Sequence, residues 1–369
     1  MFLERERAQL ELIMPGLDQR LSSQDVESLE TRGSTVIRDF AASGGAGLLV
    51  ARKYGGLGAS ASQATDALRA IGSRSASLAV STTMHHYKVA WLAETLDARR
   101  RGKVLTKITQ NKLFVASCGS EGRTADGTFN PGIAVRSDGR NLIVSGVKRP
   151  CSLVWDMGML SMLVRAPQDS YLGDQLAILL IDARSPRLQR RELWRNDVLG
   201  ASQTDEVELL NVPVAEDETI PLGSVDTSGE IATSNLLWFE VLITASYLGI
   251  ASGVVEAAYK VRSGSREILI ESIAALEMAY MAVRGLAMRV DAGERGQSAL
   301  ADGVLCRISA QHAIRNATSH ALRVLGTEAE PKHHRAMAAS RALAFHPGGL
   351  RDGGPALLKY YDGQPLALI

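Results

Sequence analysis

Apolar positions recur at different periods along this chain, and the changeovers divide it into three stretches. Up to about residue 112 the period is helical, as in Leu68 and Ile71 and again in Val89, Leu92 and Leu96. Gly44-Gly45 and Tyr54-Gly55-Gly56-Leu57-Gly58 interrupt that pattern and read as turns between helices. From about 113 to 228 the runs become short and β-rich. Gly132–Arg136 and Asn141–Ser145 flank Ser137-Asp138-Gly139-Arg140, and an Asp-Gly between two such runs predicts a hairpin. Met159–Arg165, Leu176–Asp182 and Glu206–Leu210 are further candidate strands. From about 229 the helical period returns in three long segments, Leu236–Tyr259, Glu271–Val290 and Val304–Leu325. The breaks at Arg262–Ser265 and Asp291–Gln297 suit short connections in an antiparallel bundle, and the Gly/Pro-rich tail predicts one short helix near Ala356–Tyr361. The expected fold is α+β: an N-terminal helical domain (1–112), a central β-barrel-like domain (113–228) and a C-terminal four-helix bundle (229–369).

Composition narrows the function classes. The 369 residues are 46% hydrophobic and 22% charged, enough to bury a sizeable core. Lys plus Arg is 41 against Asp plus Glu at 40, so the chain lacks the basic excess of a nucleic-acid or anionic-membrane binder. No run reaches the roughly 18 apolar residues of a membrane span. The N-terminus is charged where a secretory leader is apolar, so a cytoplasmic protein is expected. Cys118, Cys151 and Cys306 are too few and too scattered to predict a disulfide framework or a zinc site. His85-His86 and His333-His334 lack neighbouring ligands, and no metal is expected. Arg99-Arg100-Arg101 and the Asp291–Asp302 region read most simply as solvated helix ends. The arginine triplet has a second reading, as a contact for an acidic carrier protein or for CoA phosphates.

Five motifs stand in a fixed order: Tyr54–Gly58, Val115–Arg123, Ser145–Ser152, the segment from Leu199-Gly200-Ala201-Ser202 to Leu210–Val214, and Leu322–Gly326. Together, across nearly the whole chain, they resemble the acyl-CoA dehydrogenase family. The resemblance implies a homodimeric or homotetrameric flavoprotein with FAD between the β-domain and the C-terminal helices. It also implies an acyl-CoA or acyl-carrier-protein thioester as substrate, and an electron acceptor. Ser117 and Ser152 match two family threonines whose hydroxyls face the flavin; the alternative is that they bond local backbone. Arg262 and Arg266 lie where the family reaches a neighbour's FAD pyrophosphate, and Arg323 and Gly326 lie in the family's Gln-x-Leu-Gly-Gly element.

Oxidising a thioester between its α and β carbons needs a base for the α-proton and a flavin for the β-hydride. The usual C-terminal glutamate of the family falls here on Pro347, with His346 at the preceding tyrosine. A subset of the family carries its glutamate on the helix that opens the bundle. That position is Phe239 here, with Glu240 one residue beyond. Two candidate bases follow. Glu240 is a lone acid in an apolar segment; the alternative is an ion pair with a bundle arginine. His346 is a histidine beside Pro-Gly-Gly; the alternative is a structural hydrogen bond. The leading expectation is FAD-dependent α,β-oxidation of a specialised thioester. Its rivals are a reduced-flavin-dependent monooxygenase, which needs no such glutamate, and a non-catalytic scaffold.

Overall fold

A computed structural model describes residues 2–119, 132–223, 229–261, 267–346 and 350–366. Helices α1 (Glu4–Ile13), α2 (Leu17–Ser22), α3 (Val26–Glu30), α4 (Val36–Ala42), α5 (Ala61–Gly72), α6 (Ala76–Thr95) and α7 (Ala98–Gln110) come first. Strands β1 (Phe114–Cys118), β2 (Ala134–Ser137), β3 (Asn141–Cys151), β4 (Met157–Arg165), β5 (Leu176–Asp182), β6 (Leu188–Arg191), β7 (Asp205–Ala215) and β8 (Thr219–Gly223) follow. Then come α8 (Gly229–Lys260), α9 (Glu267–Asp291), α10 (Gln297–Leu325), α11 (Pro331–Arg341) and α12 (Leu350–Tyr361). The expected order of helices, sheets and helices is the order observed.

The strands form two four-stranded sheets, β1-β4-β5-β8 and β2-β3-β7-β6. The predicted hairpin is β2–β3, antiparallel, with Ser137 opposite Leu142. Asp138 closes its turn by accepting from the backbone N–H groups of Arg140 and Asn141. One expectation is corrected. Cys118 at the end of β1 and Cys151 at the end of β3 are disulfide-bonded, with Cα atoms 5.3 Å apart. They belong to different sheets, so their sequence separation of 33 hides the contact.

Helix α8 is the axis of the helical part. It packs against α5, α6, α9, α10 and α11, and its apolar residues are buried on every side, from Leu237 through Val255. Each such side chain contributes about 1.5–3 kcal/mol relative to exposure. By length and composition Ala232–Lys260 would qualify as a membrane span, contrary to the sequence expectation, with a mean hydropathy of 1.6. However, 83% of that window is buried inside the protein, as in a core helix. Two glycines set how closely α5 and α8 approach. A Cβ on Gly249 would meet the Arg69 carbonyl oxygen at 2.2 Å, and one on Gly72 would meet that of Ser246 at 2.5 Å. Helix α5 opens with a Ser60–Gln63 capping box. The Asp291 carboxylate reaches over from α9 to accept from the N–H of Ala61 at 2.5 Å and of Ser62 at 3.1 Å. Asp291 is therefore a cap for another helix, whereas the sequence suggested a solvated end.

Candidate active site

The disulfide joins the C-terminal ends of β1 and β3 at one end of the β-domain, which sets Ser117 and Ser152 beside it, each next in sequence to a bonded cysteine. Ser117 shares a short hydrogen bond with the Tyr87 hydroxyl of α6. Ser152 shares one of 2.9 Å with Thr204, which also meets Ser202 at 2.7 Å. Burial holds the Tyr87 phenol up at about 12, outweighing the Ser117 hydrogen bond, so it stays protonated at neutral pH. The Tyr87–Ser117 pair uses one of its two hydrogens and keeps a further donor, whereas Ser202 donates to the Leu199 carbonyl at 2.7 Å, so the Ser152–Thr204–Ser202 chain spends all three of its hydrogens and offers acceptor lone pairs. One free hydroxyl donor beside a set of hydroxyl acceptors suits a flavin ring, which has carbonyl oxygens and ring nitrogens to accept and a ring N–H to donate. The residues present therefore fit the expected group.

Behind Tyr87 stands Phe239 of α8, with ring centroids 5.2 Å apart, and behind Phe239 stands the His346 ring at 5.9 Å. His346 Nε2 is 2.8 Å from the Tyr247 hydroxyl. Burial, with Arg307 adding to it, pushes the imidazole down to about 3. It is neutral at any physiological pH, and a neutral imidazole whose nitrogen is engaged by Tyr247 holds position more readily than it takes a proton.

Glu240 points elsewhere. One residue on a helix turns the side chain by about 100°, and Glu240 enters the bundle while Phe239 faces Tyr87. The carboxylate is buried against α10, where Arg307 donates to its Oε1 at 2.9 Å. Its other oxygen, Oε2, is buried with no hydrogen-bond partner among the described residues. Burial pushes this carboxyl up to about 7, against the pull of Arg307. Arg307 also donates to the backbone oxygens of Leu343 at 3.0 Å and His346 at 2.5 Å. The two candidate bases thus meet at one arginine: Glu240 fixes Arg307, and Arg307 fixes the backbone that carries His346. The ion-pair alternative for Glu240 is the one observed.

The other sequence candidates are more dispersed. Arg323 and Gly326 lie exposed at the C-terminal end of α10. Arg262, Arg266 and Pro347 fall outside the described residues. In the arginine triplet, Arg100 donates to the backbone oxygens of Thr219 and Glu216, and Arg101 to that of Ala93, so both brace α7 against its neighbours. His85 is a buried bracket: Nδ1 accepts from the Val115 N–H and Nε2 pairs with the Ala46 oxygen, each at 2.8 Å. Among the described residues no group of three potential metal ligands occurs. Sequence reasoning missed Tyr87, Arg307 and Tyr247, which sit inside ordinary helical stretches.

No family model matches the chain. Isobutylamine N-hydroxylase of Streptomyces viridifaciens is 34% identical over 378 residues, covering 99% of each chain. Among solved structures, the prolyl acyl carrier protein oxidase AnaB aligns with a TM-score of 0.83 at 15% identity, over 97% of this chain and 99% of its own. FMN-bound TdsC of Paenibacillus sp. A11-2 aligns with a TM-score of 0.79 at 21% identity, over 97% of both chains. At those identities the two structures establish the fold.

Proposed function

Because the chain belongs to the acyl-CoA dehydrogenase family as a divergent member, we propose that it is a flavin-dependent oxidoreductase that hydroxylates the nitrogen of a small amine. The full-length likeness to an amine N-hydroxylase carries this reading. The placement of Phe239 supports it, since a side chain without a basic atom faces Tyr87 where a thioester dehydrogenase of the helix-borne type would need its carboxylate. The coarser activity, oxidation by a flavoenzyme of this fold, is common to both sequence-based alternatives.

Ser117 with Tyr87 would hold the flavin ring as a hydroxyl donor, and Ser152 with Thr204 as hydroxyl acceptors. Bound reduced flavin supplies two electrons to molecular oxygen, so that R–NH2, O2 and the reduced cofactor give R–NHOH, water and oxidised cofactor. The protein has two further tasks. It must keep the amine neutral, because an ammonium nitrogen has no lone pair, and the apolar wall of Phe239 and Tyr87 disfavours the charged form by desolvation. It must also keep water from the reacting atoms, and the Phe239–His346–Tyr247 stack closes that side. Glu240 and Arg307 act at a distance as positioning residues for the stack.

Self-association is part of the proposal. Ile270, Met278, Met281 and Met288 lie exposed along one face of α9, which suits a second copy of the chain, and light scattering of the purified protein tests it.

The deciding experiment supplies the purified protein with reduced flavin from a reductase and a C3–C5 primary amine, then measures oxygen uptake and hydroxylamine. Stoichiometric hydroxylamine is the expected result. Rapid anaerobic bleaching of protein-bound oxidised flavin by a short acyl thioester, without hydroxylamine formation from amines, would overturn the reading in favour of α,β-oxidation.

A further inference from the structure

Helix α6 presents Met84, Tyr87, Lys88 and Trp91 at the spacing of one face, and the lysine is the anomaly in that stripe. Lys88 is 5% exposed. Its Nζ is 3.1 Å from Asn235 Oδ1 on α8, and lies 5.1 Å and 5.2 Å from the ring centroids of Tyr87 and Trp91. Among the described residues no carboxylate lies within ion-pair distance of it. Glu94, the acid further along the same helix, is engaged by Arg295, Ser234 and Trp238. The buried arginines are treated differently: Arg69 has Glu6 and Glu277, and Arg307 has Glu240.

A buried ammonium held by one amide oxygen and two ring faces has donors to spare and, among the described residues, no counter-charge. Ring faces compensate only part of its desolvation. The lack of compensation is visible in its acidity, since burial brings the ammonium down to about 7. The position gives the charge a use. Tyr87, the next residue, bonds Ser117, so Lys88 stands one side chain from the hydroxyls assigned to the flavin.

We propose that Lys88, with Asn235 beside it, receives a carboxylate of the substrate, and that the amine hydroxylated by this protein is an amino acid. This rests on the amine-hydroxylase reading and deepens it. The carboxylate would supply a counter-charge that the described residues do not give Lys88, and would turn the amino end toward the Tyr87–Ser117 wall.

The test compares amines that differ only by a carboxylate: valine against isobutylamine, and 4-aminobutyrate against propylamine. Each is assayed by hydroxylamine formation with reduced flavin, for the wild type and for Lys88→Met and Lys88→Arg. The wild type is expected to favour the acid of at least one pair in kcat/KM. Lys88→Met is expected to lower that acid-to-alkyl ratio by about 10–100-fold, the usual scale for a charge-assisted hydrogen bond, while Lys88→Arg retains most of it. A purely structural lysine would move both members of a pair together, so the ratio isolates recognition from folding. Wild-type preference for the alkylamine in both pairs, with a ratio unmoved in Lys88→Met, would overturn the proposal. If no amine is hydroxylated at all, the functional reading fails separately, and calorimetric binding of valine and 4-aminobutyrate then decides the site. Binding by the wild type that Lys88→Arg keeps and Lys88→Met loses sustains a carboxylate site; no binding by the wild type removes it.

Discussion

Among the described residues two arginines are fully buried in the helical part of this protein, and their surroundings neutralise them differently. Arg69 of α5 donates to Glu6 of α1 at 2.8 Å, to Ser252 of α8 at 3.2 Å and to Glu277 of α9 at 2.5 Å, and lies 4.1 Å from the Tyr280 ring centroid. Arg5 joins Glu6, and Arg284 with the Tyr280 hydroxyl joins Asp66, so Arg5, Arg69 and Arg284 stand against Glu6, Asp66 and Glu277. Burial would push the Glu6 carboxyl up, but Arg69 and Arg5 outweigh it and the net shift is downward. Among the described residues Arg307 meets one carboxylate, Glu240, together with the backbone oxygens of Leu343 and His346 and the Phe239 ring, whose centroid lies 5.7 Å away. Here burial wins and the carboxyl rises to about 7. The balanced centre ties four helices together permanently. In the single pair burial outweighs the one arginine, and the distinguishing product is a fixed histidine against the wall of the candidate site.

The largest test of that contrast removes one acid from each centre. Glu240→Leu removes the carboxylate that Arg307 meets among the described residues and should destabilise the protein by about 3–5 kcal/mol. Glu6→Gln leaves Arg69 with Glu277, Ser252 and the Tyr280 ring, and should cost about 1–2 kcal/mol. The double variant Glu240→Leu with Arg307→Met should recover most of the first loss, because the pair is replaced by apolar groups together. Urea denaturation midpoints, read at constant m-value, give all three. Equal losses from the two single variants would erase the distinction.

The sequence made parts of this legible and hid others for identifiable reasons. The β2–β3 hairpin and α8 to α10 were readable because Asp138-Gly139 and three long apolar segments are strong local signals. Strand β6 was missed because Leu188-Gln189-Arg190-Arg191 is a mostly polar edge strand, and β8 because Pro221 lies inside it. Glu240 was recognisable as a buried acid, but not its direction, since a single residue decides which helix face a side chain takes. His346 carried no sign that Tyr247 would hold it, 99 residues away in sequence. Lys88 did leave a signal, a lone cation in the Met84–Trp91 stripe, detectable once that stripe is read as one face.

A second test uses pH, where the two centres differ in sign. Glu240 has a folded pKa of about 7 against an ordinary 4.5, so its ionised form costs stability above pH 7, and that cost lifts as pH falls toward 4.5. His346 is lowered from 6.5 to about 3, so its contribution is complete above pH 6.5 and is lost as pH falls. Between 6.5 and 4.5 the two oppose each other. Glu240→Gln removes only the compensating member, and the acid slope of stability should steepen by up to about 1.4 kcal/mol per pH unit in that window. Glu6, whose carboxyl is lowered, contributes stability that is lost only below its ordinary 4.5, so Glu6→Gln should leave the slope there unchanged. Urea titrations at half-unit steps of pH would expose the difference, and parallel slopes in the two variants would contradict it.

The smallest effect is the most specific to function. Tyr247→Phe removes one hydrogen bond beside Arg307, the one to His346, and Ser252→Ala removes one beside Arg69. Each should cost about 1 kcal/mol of stability. Only the first loosens a ring that packs on Phe239, which in turn faces Tyr87 and its bond to Ser117. Misplacing a wall of the reacting pocket by a fraction of an ångström is expected to lower kcat/KM for amine hydroxylation by about 3–10-fold in Tyr247→Phe. Ser252→Ala should leave turnover at the wild-type rate, since the Arg69 centre touches no part of that wall. If Ser252→Ala slows hydroxylation as much as Tyr247→Phe does, the loss follows general stability, and the division between a locking centre and a positioning centre fails.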